Sequence, residues 1–150
     1  MNTGTKNDSL SIYAMSNISK EDYDFLRKLN APWHLFDEVF ASGYAGMRKP
    51  EAGFYEFVLR EIGLEGRAAD VIFVDDKLEN VEAAKAQGLH AVQFKSATET
   101  GAEVRRLLNL QADTNTVAPI SEDSKRNGWL IHTKWLLFAF SLAACFVLLS

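Results

Sequence analysis

Short apolar runs alternate with stretches of helical period over residues 10–94. Leu10–Met15 (LSIYAM) is an apolar run ending at Ser16-Asn17, the pattern of a strand closed by turn residues. Ser19 before Lys20-Glu21-Asp22 is a helix N-cap with an acidic first turn. It predicts a helix to about Asn30, with Phe25, Leu26 and Leu29 on one face and Pro32 as the stop. Glu38–Ala41 (EVFA) predicts a second strand, closed by Ser42-Gly43. Pro50 suits the first position of a helix in which Phe54, Phe57, Val58 and Ile62 recur at helical spacing, up to Gly63. Asp70–Val74 (DVIFV) is the clearest strand, apolar and mostly β-branched as in strands buried on both faces. Leu78–Gln87 predicts a helix with small apolar positions Val81, Ala84 and Ala86, ended by Gly88, and His90–Phe94 a last strand.

Strands separated by helices point to βαβ units, an α/β class with a mostly parallel sheet. The remainder divides into a polar N-terminus (1–9), a core continuing to 112 through one helical patch, a polar linker (113–128) and an almost wholly apolar end (129–150).

Composition narrows the function classes. Hydrophobic residues at 47% and charged residues at 24% exclude wholesale disorder. Lys+Arg is 16 against Asp+Glu 20, a net charge of −4, so the basic surplus of a nucleic-acid binder is missing. Cys145 is the single cysteine, which excludes an internal disulfide and a cysteine-built zinc site. His34, His90 and His132 follow no metal-ligand spacing. Met1–Ser9 lacks the apolar core of a signal peptide, so a cytoplasmic location is expected.

In parallel sheets ligands bind beyond the carboxyl ends of the strands, which makes the strand ends informative. The first carries Ser16-Asn17, the loop after the second carries Lys49, and the third carries Asp75-Asp76. A hydroxyl, an amide, an ammonium and two carboxylates at one edge suit a phosphate with a divalent cation: the donors and Lys49 hold phosphate oxygens, and the acids hold magnesium through hard oxygen ligands. Singly, each has a plainer reading. Ser16-Asn17 makes a turn, Lys49 is a solvated lysine at a helix start, and Asp75-Asp76 cap the next helix. Their order and spacing together carry the signal.

Ser16-Asn17 after a strand, then SGYAGMRKPEAGFY (Ser42 to Tyr55), then FVDDKLENVEAAKAQGL (Phe73 to Leu89) resemble motifs II, III and IV of the haloacid dehalogenase (HAD) superfamily. The resemblance covers roughly residues 10–94 and is nearest the branch with haloacid dehalogenases and the phosphatase domain of soluble epoxide hydrolases. It implies a Rossmann-like core and phosphoryl or haloacid hydrolysis through an aspartyl intermediate. It also implies that Ser16 and Asn17 bind the phosphoryl group and that Lys49 neutralises the phosphate and the attacking carboxylate. Asp76 is then the direct magnesium ligand, with Asp75 beside it through water or hydrogen bonds, and Asn80 fastens the loop. Two adjacent acids favour a phosphatase over a dehalogenase, because magnesium offsets the phosphate charge.

Two features depart from the family. Motif I, D-x-D at the end of the central strand, supplies the nucleophile, and it should precede Leu10 together with a cap. The sole D-x-D here, Asp22-Tyr23-Asp24, starts a helix instead. Two outcomes follow: a magnesium-dependent phosphatase acting on a small phosphorylated substrate if motif I is supplied elsewhere, or a catalytically silent derivative, a fragment or a membrane-tethered protein, that binds phosphate or a partner without turnover. The missing strand would lie between the strands ending at Ser16 and Asp75, so those either pair directly, split the sheet, or need a complementing piece. The second departure is Trp135–Ser150, an uncharged stretch of 16 residues, about 24 Å as a helix against a hydrocarbon core of about 30 Å. Starting from Trp129 it is long enough to span. Residues 129–150 are therefore expected to be a hydrophobic helix, either a membrane anchor or a helix covering the sheet, unless the tail is non-native.

Overall fold

The computed structural model describes residues 11–108 and the backbone of 145–149. In chain order these form β1 (Ile12–Ser16), α1 (Lys20–Leu26), β2 (Glu38–Ala41), α2 (Ser42–Ala45), α3 (Ala52–Glu61), β3 (Val71–Asp75), α4 (Leu78–Ala86), β4 (His90–Gln93), α5 (Ala97–Leu107) and β5 (Cys145–Leu149).

The strands make one sheet in the order β2-β1-β5-β3-β4. β1 runs parallel to β2, with Met15 opposite Phe40 and Ser16 opposite Ala41. β3 runs parallel to β4, with Val74 opposite Val92 and Asp75 opposite Gln93. All five residues of β3 are buried, as its unbroken apolar run requires. Phe54, Tyr55, Val58 and Leu59 of α3 pack with Met15, Phe40, Phe73 and Ala84 in the core. The Tyr55 and Phe73 rings meet edge to face, 5.4 Å between centroids.

Two helices start or stop away from the places the sequence predicts. α1 ends at Leu26 and not near Asn30. Lys28 N–H and Leu29 N–H bond the carbonyls of Phe25 and Leu26, three residues back, so the chain tightens out of the helix before Pro32. α3 begins at Ala52, after a turn in which Glu51 N–H bonds the Arg48 carbonyl, so Pro50 lies in that turn and not at the first helical position.

The apolar end departs further from expectation. Cys145–Leu149 is a strand, not part of a helix, and residues 129–144 and 150 lie outside the described residues. β5 runs antiparallel between β1 and β3, with Ala14 and Val74 both opposite Phe146. β1 and β3 each have one edge that neither β2 nor β4 reaches. A strand of this composition (CFVLL) satisfies both rows of backbone groups, which a helix laid over the sheet would leave unpaired. Among the described residues, no helix is long and apolar enough to cross a membrane.

Candidate active site at the carboxyl edge of the sheet

Residues at the ends of β1 and β3 meet around one side chain. Lys49 lies on the loop between α2 and α3 and points under the sheet edge with 1% of its surface exposed. Its ammonium donates to the Met15 carbonyl oxygen of β1 at 2.8 Å and to Asp75 Oδ2 of β3 at 2.7 Å. One charged group therefore joins two strands that are not neighbours in the sheet.

Asp75 is 2% exposed, and donors surround its carboxylate. Oδ1 accepts from the Lys77 N–H at 2.9 Å and from Asn80 Nδ2 at 3.0 Å, while Oδ2 faces Lys49. These charge-assisted bonds offset part of the cost of burying the carboxylate. Asn80 is itself buried on the first turn of α4, and the Tyr55 hydroxyl donates to its carbonyl at 2.9 Å. Asn80 Oδ1 has no hydrogen-bond partner among the described residues.

The next residue behaves oppositely. Asp76 is exposed, and no hydrogen bond or ion pair among the described residues engages its carboxylate. Its carbonyl accepts from Gln93 Nε2 at 3.0 Å, and the Phe94 N–H bonds the Asp75 carbonyl, which holds the turn against β4.

On the other side, Ser16 is buried at the end of β1. Asn17, half-buried, turns its amide to the main chain of Lys49: Nδ2 donates to the Lys49 carbonyl and the Lys49 N–H donates to Oδ1, each at 2.8 Å. The neighbouring loops are tied by the Ser42 hydroxyl, which accepts from Ile18 N–H at 2.9 Å and donates to its carbonyl. They approach so closely at Gly43 that a Cβ there would stand 2.5 Å from the Lys20 nitrogen. An open cleft of about 350 Å³ lies beside Asn17, between Ile18, Met47, Arg48 and Glu51.

The structure thus brings Ser16, Asn17, Lys49, Asp75, Asp76 and Asn80 to one edge. Three participants had no signal in the sequence: the Met15 carbonyl and the Lys77 N–H, which any residue would supply, and Tyr55, which reads as one more apolar position of α3. The D-x-D residues lie elsewhere, on α1. Asp22 accepts from the Ser19 hydroxyl at 2.9 Å, and Asp24 accepts from the Tyr44 hydroxyl at 2.6 Å, which ties α1 to α2. Among the described residues no group of three or more His, Cys, Asp or Glu is placed to hold a metal ion.

No protein-family profile matches the chain. A sesquiterpene phosphatase of Aspergillus oryzae, astK, is 45% identical over 103 residues, 69% of this chain and 52% of that protein. A drimenol cyclase of Aspergillus calidoustus, drtB, is 37% identical over 133 residues, 78% of this chain and 25% of that protein. The chain therefore spans about half of the first relative and a quarter of the second. Among solved structures, an uncharacterised protein of Corynebacterium glutamicum superposes with a TM-score of 0.55 at 26% identity, over 65% of this chain and 69% of that one. A HAD family enzyme of Bacteroides thetaiotaomicron superposes with a TM-score of 0.53 at 21% identity, over 62% of this chain and 48% of that one. A form of that enzyme bound to magnesium and inorganic phosphate gives 0.50 at 23% identity, over 57% of this chain and 46% of that one. Three sequence motifs in order, on a sheet that shares the fold of HAD family enzymes, support a partial chain of the haloacid dehalogenase superfamily.

Proposed function

We propose that residues 10–112 form the core that carries the charge-handling side of a magnesium-dependent phosphatase site acting on a phosphate monoester. The observation that carries this reading is the buried Lys49 ammonium, held at a strand edge between the Met15 carbonyl and Asp75. A buried ion pair contributes little net stability compared with apolar side chains of the same volume, so its presence at a ligand-binding edge is better explained by function. Lys49 supplies positive charge for phosphate oxygens, and Ser16 lies at the same strand end. Asp75, both of whose oxygens already accept protein donors, keeps Lys49 in place.

Asp76 suits a magnesium ion, because its carboxylate is exposed and unengaged among the described residues, a hard oxygen donor next in sequence to Asp75. One or two carboxylates with water and substrate phosphate are the usual shell for this ion. Magnesium bound there supplies charge that offsets the phosphate during transfer. The phosphatase relative supports a sesquiterpenyl alcohol as the esterified group, and the cleft beside Asn17 gives it room. Among the described residues Asp22 and Asp24, the D-x-D pair, are committed to α1; in this reading a separate strand ending in D-x-D supplies the nucleophile.

A second reading is favoured by β5. With this chain's own strand between β1 and β3, the edge binds phosphate without turnover. A pair of assays on a sesquiterpenyl monophosphate decides between them. The 150 residues alone should show no turnover. The same residues with a cap and a D-x-D strand placed before Leu10 should show magnesium-dependent turnover that Asp76→Ala abolishes. Turnover by the unextended chain would overturn the external nucleophile, and a folded but inactive extended chain would establish the silent reading.

A further inference from the structure

The Lys49 side chain has four rotatable bonds, and its ammonium must stand within a few tenths of an ångström of two acceptors on different strands. Burial removes water as a substitute partner, so placement has to come from the main chain below it. That main chain belongs to no helix or strand: it lies between α2 and α3, beside the exposed Arg48 and Pro50. Asn17 holds it. The two 2.8 Å bonds engage both the N–H and the carbonyl of Lys49, the pairing one strand would offer another, made here by one side chain from 32 residues away. A primary amide presents one donor and one acceptor side by side. A carboxylate would place an oxygen against the Lys49 carbonyl, and an aliphatic side chain would leave both groups without their partner.

We propose that Asn17 is a positioning residue. Its amide fixes the Lys49 backbone so that the ammonium reaches Met15 and Asp75, and its contribution to anion binding is made through Lys49. This differs from a role as a direct phosphate ligand, and it rests on the reading of this edge as a phosphate site.

The test is a cycle of four chains: wild type, Asn17→Ala, Lys49→Met and the double variant, each titrated with inorganic phosphate by calorimetry. Lys49→Met should weaken phosphate binding by about tenfold or more, the loss of one charge-assisted hydrogen bond. Asn17→Ala should weaken it by a comparable factor in the wild-type chain and by less than about twofold when Lys49 is already Met. Equal losses in both backgrounds would show that Asn17 touches the anion itself and would overturn the proposal.

Amide hydrogen exchange gives a readout independent of phosphate. Asn17→Ala should speed exchange of the Lys49 N–H by about tenfold or more while leaving the Lys77 N–H, bonded to Asp75, protected. Asn17→Asp sets an oxygen against the Lys49 carbonyl and serves if the alanine variant does not fold; there too the Lys49 N–H should exchange faster than in wild type. Unchanged Lys49 exchange in either variant would overturn the clamp. If the wild-type chain binds no phosphate, the phosphatase reading fails, and the exchange data still decide whether Asn17 positions Lys49.

Discussion

Lys49 Nζ and Asp75 Oδ2 stand 2.7 Å apart with both side chains essentially out of solvent. They are 26 residues apart in sequence and come from a loop and a strand end, so the pair reports whether the two sides of the sheet edge are correctly joined.

That pair should respond asymmetrically to mutation. Asp75→Asn leaves a buried ammonium without its counter-charge and should cost about 3–5 kcal/mol. Lys49→Met leaves a carboxylate that still accepts from Lys77 and Asn80, and fills the space with an apolar chain of similar length, so its cost should be smaller. Urea denaturation of the two variants measures the difference. Equal losses would mean that the Lys77 and Asn80 donors do not sustain the lone carboxylate.

Asp76→Ala should separate binding from stability. The residue is exposed, so its removal should change stability by less than about 0.5 kcal/mol. Magnesium binding, followed calorimetrically in the presence of phosphate, should disappear. Retained magnesium binding would place the ion elsewhere.

Gly43→Ala should loosen the join between β1 and β2. A methyl group there meets backbone atoms of Ser19 and Lys20, not a flexible side-chain end, so the loops must part. A loss of about 1–3 kcal/mol is expected, read from the thermal midpoint.

Val147→Pro tests the central strand. Proline cannot donate to the ladder, and Val147 pairs with Tyr13 on one side and Phe73 on the other. Leaving a buried backbone acceptor unpaired should lower stability by about 1–3 kcal/mol. No change in the denaturation midpoint would show that β5 is dispensable to the sheet.

The tether between α1 and α2 should fail at high pH. The hydrogen bond to Asp24 is the main cause that raises the Tyr44 hydroxyl above its ordinary pKa of 10.0. A group whose pKa is raised by folding contributes stability that is present below its unfolded pKa and is lost as pH rises through the folded value. The Tyr44→Phe variant should therefore match wild type more closely once pH exceeds that raised value than at about pH 8, which a denaturation series from about pH 8 upward would show.

Sequence alone determined most of the local structure. The apolar run at Val71–Val74, the cap at Ser19 and the stops at Gly63 and Gly88 act through neighbours a few residues away, so β2 falls where the pattern places it and β1, β3, α4 and β4 lie within a residue or two. The rule that parallel sheets bind ligands at their carboxyl edge was enough to nominate Ser16, Lys49 and Asp75 together. What those residues do to one another was decided only by the tertiary structure. Asp75 and Asp76 are chemically identical in sequence, yet one faces inward from the last position of β3 while the next side chain, on the opposite side of the pleat, meets solvent. Asn17 reads as a donor free for a ligand until the loop bearing Lys49 closes onto its amide. The segment at Cys145–Leu149 carries the composition of a buried helix or a buried strand equally well. The choice fell to the two unpaired edges of β1 and β3, whose backbone groups have to be satisfied and which lie more than 70 residues away from it in the chain.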